Sequence, residues 1–284
     1  MTNELKSVLD NTYDLSYRPA SGDTSYYCLD ILYSTLGEGG KVQSVANWRG
    51  GFRRTVDGID ADGAVQETIV WQRSGRRERD AGSPFGDEWE PLGFFEGFTY
   101  PFSAEDDYPD FQPDYSGFPS DEAGWPLGWN ALLMTVDAHV EFDYLRSRRH
   151  GAIDKLRTIG DTCVTPDSDH PYRLALPPMV DVPAFTKRNL RNTFEGLGKV
   201  NGAACAIIAF TMEVSPFQMS IGGTAFDCSS AFRGTISVNL ADGSVEHGEF
   251  DEFVMGAAGP VYPRYEIRRI DEAAWQGGTF DLVF

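Results

Sequence analysis

A two-residue alternation of apolar and polar side chains dominates the C-terminal third of this chain. Between residues 232 and 240 the inward set is Phe232, Gly234, Ile236, Val238 and Leu240, and the outward set is Arg233, Thr235, Ser237 and Asn239. Such alternation is typical of a strand with one buried face. Asn-Gly at 201–202 and Asp-Gly at 242–243 join strand-like runs, and these pairs favour tight hairpin turns. The pattern predicts an antiparallel meander.

The N-terminal quarter has a similar organisation. Strand-like runs at 13–17, 24–36, 51–56 and 64–72 are separated by Gly-Asp and Asp-Gly pairs. With closing runs at 262–270 and 279–284, they define two hairpin sets, residues 12–75 and 171–284. A length of 284 residues suits one β domain with a substantial core. We therefore predict a mainly β fold, with residues 1–284 forming a single strongly curved antiparallel sheet or open barrel.

A long aromatic and acidic insert, residues 85–129, lies between the hairpin sets. It holds thirteen aromatic residues, eleven acids and six prolines but no Lys, Arg or His, in a chain whose formal net charge is -19. Disordered acidic segments are poor in aromatics, so we expect an ordered, irregular lid or wall of a binding site. Nucleic acid is not an expected partner, because phosphate binding requires clustered cations.

The segment after the insert, residues 130–149, allows two interpretations. At a period of 3.6 it presents one apolar stripe, made of Leu132, Leu133, Val136, Val140, Tyr144 and Leu145. At a period of two, Val136, Ala138, Val140 and Phe142 would face away from Asp137, His139, Glu141 and Asp143. The length of nearly twenty residues favours a helix, which would cross the curved sheet and fill its concave side.

The C-terminal hairpins resemble the closing strands of lipoprotein-carrier half-barrels of the LolA/LolB type. The resemblance rests on a G-x-VNG-x-x-C hairpin and a later G-x-x-x-FD strand, filled here by Gly198, Val200, Asn201, Gly202, Cys205, Gly222, Phe226 and Asp227. It implies a curved antiparallel sheet around an apolar ligand cavity. The N-terminal residues show no signal-peptide or lipidation pattern, and no apolar run reaches membrane-spanning length. We therefore expect a cytoplasmic protein with no membrane partner.

Two histidines lie in matching His-x-Glu contexts, Asp-Ala-His139-Val-Glu141-Phe-Asp143 and Glu-His247-Gly-Glu249. On strands, residues i and i+2 share a face, so each pair would present an imidazole and a carboxylate together. We expect His139, Glu141, Asp143 and His247 as catalytic acid–base residues. The metal alternative is a divalent site formed by His139, His247 and Glu249. In a helix, His139 would instead pair with Asp143, and a third possibility is that both histidines lie on solvated polar faces.

The aromatics of the insert are candidate substrate contacts, namely Phe98, Tyr100, Trp125 and Trp129. Rings bordered by carboxylates suit flat, apolar or cationic small molecules, although the same rings would also anchor a long loop. The chain has no P-loop or dinucleotide fingerprint, so no nucleotide cofactor is expected. We predict acid–base lyase, isomerase or hydrolase chemistry on an aromatic or amphipathic substrate, without a cofactor or with a divalent metal. The alternatives are a non-catalytic carrier of an apolar ligand and an acidic surface for a basic partner.

Overall fold

A computed structural model describes residues 11–86, 88–106, 113–115, 118, 133–165, 180–181, 190–221, 224–256 and 259–277. Within these residues the chain is mainly β, as the sequence predicts. The strands are β1 (Thr24–Leu36), β2 (Val42–Ile59), β3 (Val65–Asp80), β4 (Glu90–Pro91), β5 (Thr99–Phe102), β6 (Thr162–Thr165), β7 (Val180–Asp181), β8 (Leu190–Val200), β9 (Ala203–Ile221), β10 (Thr224–Asn239), β11 (Val245–Gly256) and β12 (Gly259–Ile270).

These strands form one open, curved antiparallel sheet in the order β4-β3-β2-β1-β12-β11-β10-β9-β8-β6, with β5 paired to β3 and β7 to β9. The first and last long strands meet in the middle, where Tyr26 lies opposite Ile270 and Thr35 opposite Val261. The Asn201-Gly202 turn joins β8 to β9 as predicted, with positive φ at both residues. Two meanders are thus joined through β1 and β12, as expected for two hairpin sets.

The segment predicted as a crossing helix is helical. Leu133–Val140 has π-helical hydrogen bonding and continues into an α-helical turn, Glu141–Leu145; we call this element α1. It contacts β1, β11 and β12 near the middle of the sheet, and the face that it covers is called the inner face. The period-two interpretation is therefore wrong for this segment. Within the described part of the chain, no helix is both long and apolar enough to cross a membrane.

The topology explains why α1 crosses the sheet. The chain leaves β3 and β5 at one edge and re-enters the sheet through β6 and β8 at the other. The intervening residues must therefore traverse a face, and the apolar α1 is buried by doing so.

Two predictions at the chain's ends have different outcomes. Residues 13–17 form no strand, and the run 279–284 lies outside the described residues; a short helix, α2 (Glu272–Gly277), follows β12.

The core occupies the space between α1 and the inner face. From the helix it takes Met134, Ala138, Val140, Phe142, Tyr144 and Leu145, and from the sheet it takes alternate residues such as Tyr27, Phe52, Trp71, Ile236 and Phe250. Phe142 stacks edge-on against Phe250 of β11, with 5.1 Å between ring centroids. Because α1 is buried on several sides, its polar residues are also enclosed, which an amphipathic stripe does not predict.

Gly248 of β11 provides the space that Phe142 of α1 fills. A Cβ atom at this position would lie 2.6 Å from Cε1 of Phe142 and 3.1 Å from Cγ2 of Ile236. We expect Gly248→Ala to lower the free energy of unfolding by about 1–3 kcal/mol, because extra volume in a packed core displaces side chains or backbone. Urea unfolding followed by circular dichroism measures this loss.

Gly256→Ala is the matched control, since it lies on the same strand and a Cβ there would meet its nearest neighbour at an ordinary 3.8 Å. This control should retain wild-type stability within about 0.5 kcal/mol. Equal losses in the two variants would show that the contact with α1 does not determine the requirement for glycine at position 248.

Candidate functional site

Four charged side chains meet beneath α1 with almost no exposure to water. Arg54 and Glu67 come from inner-face positions of β2 and β3, whereas Asp143 and Arg146 come from α1 and the residue after it. Arg54 lies two residues after Phe52, and Glu67 lies two residues before Ile69. Because alternate residues of a strand share a face, both charged side chains lie on the inner face with Phe52 and Ile69. The site is therefore assembled from both layers of the fold.

The distances define a closed ion-pair cluster. Asp143 accepts from Nη2 of Arg54 at 2.5 Å and from Nε of Arg146 at 2.6 Å. Glu67 accepts from Nη2 of Arg146 at 3.2 Å and from the hydroxyl of Tyr17 at 3.0 Å, and its Oε1 lies 3.7 Å from Nε of Arg54. Two guanidinium groups and two carboxylates thus neutralise one another, as buried charges require.

His139 completes the cluster as a neutral ring. Its Nε2 lies 3.3 Å from Nη2 of Arg54 and 3.1 Å from Oδ2 of Asp143, and the side chain is 0% exposed. A guanidinium has only donors and an ionised carboxylate only acceptors, so Nε2 accepts from Arg54 in one tautomer of the neutral ring and donates to Asp143 in the other. Burial lowers the pKa of His139 to about 3, and Arg54 and Arg146 add to that effect against the opposing carboxylate of Asp143. At neutral pH the ring is uncharged.

The pKa of Asp143 moves the opposite way from the expectation for burial. Burial by itself raises it, but Arg54, Arg146 and His139 together hold it well below its usual range. The pKa of Glu67 is raised, since burial there outweighs the attraction of Arg54 and Arg146. Asp143 is therefore the strongly ionised anion that balances the cluster.

The helical alternative for the His139 motif is the one that the structure bears out. His139 and Asp143 lie four residues apart on α1 and are neighbours, as helix geometry requires. Glu141 is also buried on α1. The catalytic roles assigned to these three residues stay a prediction, because the geometry reports their positions and not a reaction.

His247 and Glu249 do not join His139. On β11 they alternate with Gly248 and Phe250, which face α1, so both lie on the opposite, outer face of the sheet. There Nε2 of His247 lies 3.0 Å from Oε1 of Glu266. The predicted metal site of His139, His247 and Glu249 is thus corrected: the sheet separates its members. Among the described residues, no group of three or more His, Cys, Asp or Glu side chains is placed to hold a metal ion.

The aromatic residues of the insert pack against protein groups. The Tyr100 hydroxyl accepts from Nε1 of Trp71 at 3.3 Å and lies 3.5 Å from Nδ1 of His139. Phe98 is half-buried and stacks on Tyr115, with 5.6 Å between ring centroids. Of these two predicted substrate contacts, Tyr100 borders the cluster at His139, and Phe98 packs among the aromatic residues of the insert. Trp125 and Trp129 lie outside the described residues.

The insert begins on the outer face and passes to the inner one. Trp89 covers the guanidinium groups of Arg49 and Arg77, whose Cζ atoms lie 4.8 Å and 4.4 Å from its ring centroid. After β5 pairs with β3 at the sheet edge, Phe102 contacts the ring of His139 at a centroid distance of 4.9 Å. The described part of the insert thus wraps around an edge of the sheet. Part of the expected lid is a strand, β5, which pairs with β3.

Sequence reasoning missed Arg54 and Glu67. A signal for both is present, because each occupies an inward position in an apolar alternation: Phe52-x-Arg54-x-Val56 and Val65-x-Glu67-x-Ile69. A charged residue at an inward position requires a partner of opposite charge. Two such positions on neighbouring strands, one basic and one acidic, would have indicated a buried ion pair.

Comparison with known proteins yields fold-level similarity at low scores. No protein-family model and no curated protein matches the chain. One similar structure is that of lipid–protein interactions in lipovitellin, with a TM-score of 0.46, 10% identity and coverage of 89% of this chain and 25% of that one. This chain therefore spans about a quarter of the lipovitellin chain.

Two bacterial structures are covered over their whole length. A candidate exported protein with a YmcC-like fold from Bacteroides fragilis has a TM-score of 0.22 and 8% identity, over 92% of this chain and 100% of that one. A candidate lipoprotein from Parabacteroides distasonis has a TM-score of 0.23, with the same identity and coverage. At these scores the similarities define neither a family nor a ligand, and the LolA/LolB-type resemblance stays a prediction. The fold defines the class of protein as an open antiparallel β-sheet with a buried crossing helix.

Proposed function

We propose that this protein is a non-catalytic binding or carrier protein for an apolar or amphipathic small molecule, held at the inner face of the sheet. The observation that supports the proposal is an inner-face aromatic surface that crosses four strands and is buried within the protein. Phe210, Phe232, Phe250 and Tyr265, from β9 to β12, follow one another with ring centroids 5.9, 5.6 and 4.2 Å apart. Such a surface favours apolar ligands through area and ring contacts.

The position of α1 suggests where the ligand contacts the sheet. The helix contacts β1, β11 and β12, whereas the aromatic surface continues onto β10 and β9 through Phe232 and Phe210. Met212 and Phe217 extend the apolar inner face farther along β9. We place the ligand against β9 and β10, beside α1.

Acid–base catalysis has weaker support than binding. His139 is fully buried and neutral, and its Nε2 is occupied by Arg54 and Asp143. A general base must reach the proton that it removes, directly or through a water molecule. The charged groups around His139 instead neutralise one another, which indicates a structural role for the cluster and not a catalytic one.

The proposal is tested with a neutral fluorescent apolar probe, N-phenyl-1-naphthylamine, and with competition by a long-chain fatty acid. We expect saturable probe binding by the native protein. Phe232→Asn should weaken it about tenfold, because an unpaired amide on an apolar surface costs on the order of 1–2 kcal/mol. Mass spectrometry of an organic extract of the purified protein checks separately for a bound apolar compound.

Phe253→Asn is the matched control. Phe253 lies on β11 and is 42% exposed on the outer face, whereas Phe232 is 7% exposed on the inner face. The control should bind the probe like the native protein. Absence of saturable binding, or the same affinity in both variants, would reject the inner face as the ligand site.

A further inference from the structure

A small cleft opens beside the buried ion-pair cluster, at the end of α1. Its volume is about 220 Å³, and its charged and aromatic lining consists of Tyr17, Arg18, Glu67, Glu105, Arg146 and Arg148. Ligand pockets for whole small molecules usually measure about 300–1,000 Å³. The cleft therefore suits a single small ion or one polar group of a larger molecule.

Arg146 supplies a hydrogen-bond donor to this cleft. Its side chain is 2% exposed, and it donates through Nε to Asp143 and through Nη2 to Glu67. Within the described part of the chain, its third nitrogen, Nη1, makes no hydrogen bond. Arg146 lines the cleft, so a ligand that accepts from Nη1 would complete the hydrogen bonding of this guanidinium.

The acidic residues of the cleft are already engaged as acceptors. Glu105 accepts from the backbone N–H groups of Arg148 and Arg149 at 2.9 and 3.0 Å. Glu67 accepts from Tyr17 and Arg146. Both carboxylates are thus already paired with donors of the protein.

Two further guanidinium groups lie at the cleft's rim. Arg18 and Arg148 are 40% and 44% exposed, and each also has a carboxylate neighbour, Asp14 and Glu105 respectively. Exposed ion pairs of this kind contribute little and rearrange easily. Both arginines are thus free to turn toward an anion without breaking the core.

We propose that this cleft binds a small oxyanion, a phosphate or carboxylate group that accepts from Nη1 of Arg146 and is enclosed by Arg18 and Arg148. Guanidinium groups suit this ligand, because their planar pairs of donors match two oxygens of one anion. The source is either a free anion or the head group of an amphipathic ligand. The site stands on the cleft's own geometry and does not depend on the proposed apolar ligand.

The test measures binding of inorganic phosphate by ³¹P NMR titration and isothermal calorimetry at a constant ionic strength of about 0.15 M, where surface charges are screened beyond about 8 Å. We expect saturable binding by the native protein. Arg148→Gln and Arg18→Gln should each weaken it at least fivefold. Both residues are exposed, so these variants leave the buried cluster intact.

Arg264→Gln is the matched control: Arg264 is 47% exposed on the outer face and lies 3.0 Å from Asp251. It should bind phosphate like the native protein. A second arm uses a lysophosphatidate below its micellar concentration. Tighter binding of this lipid, lost in Arg148→Gln, identifies a head group, whereas equal affinities for the two probes identify a free anion.

The proposal is overturned if phosphate shows no saturable binding, or if Arg148→Gln and Arg264→Gln change affinity equally. Lipid binding that is insensitive to Arg148→Gln also overturns it, because the chain and not the anionic group would then be recognised. Phosphate binding without binding of the neutral apolar probe would support the oxyanion site while rejecting the proposed carrier function.

Discussion

Asp143→Asn is expected to lower the free energy of unfolding by about 3–5 kcal/mol, because it removes one anion from a buried cluster that holds two cations. Asp143 contacts Arg54, Arg146 and His139 at 2.5, 2.6 and 3.1 Å. Without its charge, Glu67 is the remaining carboxylate opposite both guanidinium groups. Since a domain is stable by about 5–15 kcal/mol in total, this loss is a large fraction. Urea unfolding at pH 7, monitored by circular dichroism and tryptophan fluorescence, measures it.

Asp251→Asn is the control for removal of a paired carboxylate at the surface. Asp251 pairs with Arg264 on the outer face, where both side chains are partly exposed. It should cost less than about 1 kcal/mol. If Asp143→Asn cost no more than this control, the cluster would not hold α1 against the sheet in the way that the distances indicate.

As the pH falls, the free energy of unfolding of the native protein is expected to decrease more steeply than that of the His139→Gln variant. In the unfolded chain, His139 takes up a proton below its usual pKa of 6.5, whereas in the folded protein its pKa is about 3. The stability contributed by the neutral ring is therefore complete above pH 6.5 and is lost as the pH falls toward 3. The difference in free energy of unfolding between the two proteins should change by about 1.4 kcal/mol per pH unit in this window.

Two other groups oppose this trend, which is why the comparison with the variant is necessary. Burial raises the pKa of Asp30 to about 6 and also raises that of Glu67. A raised carboxyl pKa gives stability at low pH that is lost as the pH rises, so both groups act against His139 in the native protein. Both carboxyl groups are present in the native protein and in His139→Gln, so the difference between the two proteins chiefly reports the titration of His139. A difference that stays constant from pH 6.5 to 4 would mean that His139 is accessible to protons in the folded state.

The architecture follows from local patterns, and the pairing of distant charges does not. Phe232–Leu240 and its Asp-Gly turn indicate a half-buried strand because side chains alternate every residue on any strand. The helical choice for residues 133–145 also followed from length and period. By contrast, the prediction that His139 and His247 share one site depends on their similar His-x-Glu motifs. The first motif lies on a helix and the second on a strand, and these elements direct their side chains differently. His247 therefore ended on the outer face.

Part of the site was within reach of the sequence and part was not. The sequence indicates His139, Asp143 and Tyr100 as candidates, and these residues do meet, with His139 held as a neutral ring. Arg54 and Glu67 carried a signal, as charged residues in apolar alternations. Nothing local indicates that both face Asp143, since Arg54 and Asp143 are separated by 89 positions in the chain.

Local sequence is sufficient to specify antiparallel hairpins, a helix and an aromatic-acidic insert, because backbone preferences and the burial of alternate side chains act over a few residues. Tertiary structure decided which faces those elements share. The meeting of β1 with β12 places two meanders in one sheet, and the edge-to-edge connection carries α1 across it. Only that arrangement brings two arginines, two carboxylates and a neutral histidine together away from water, where each charge requires the others.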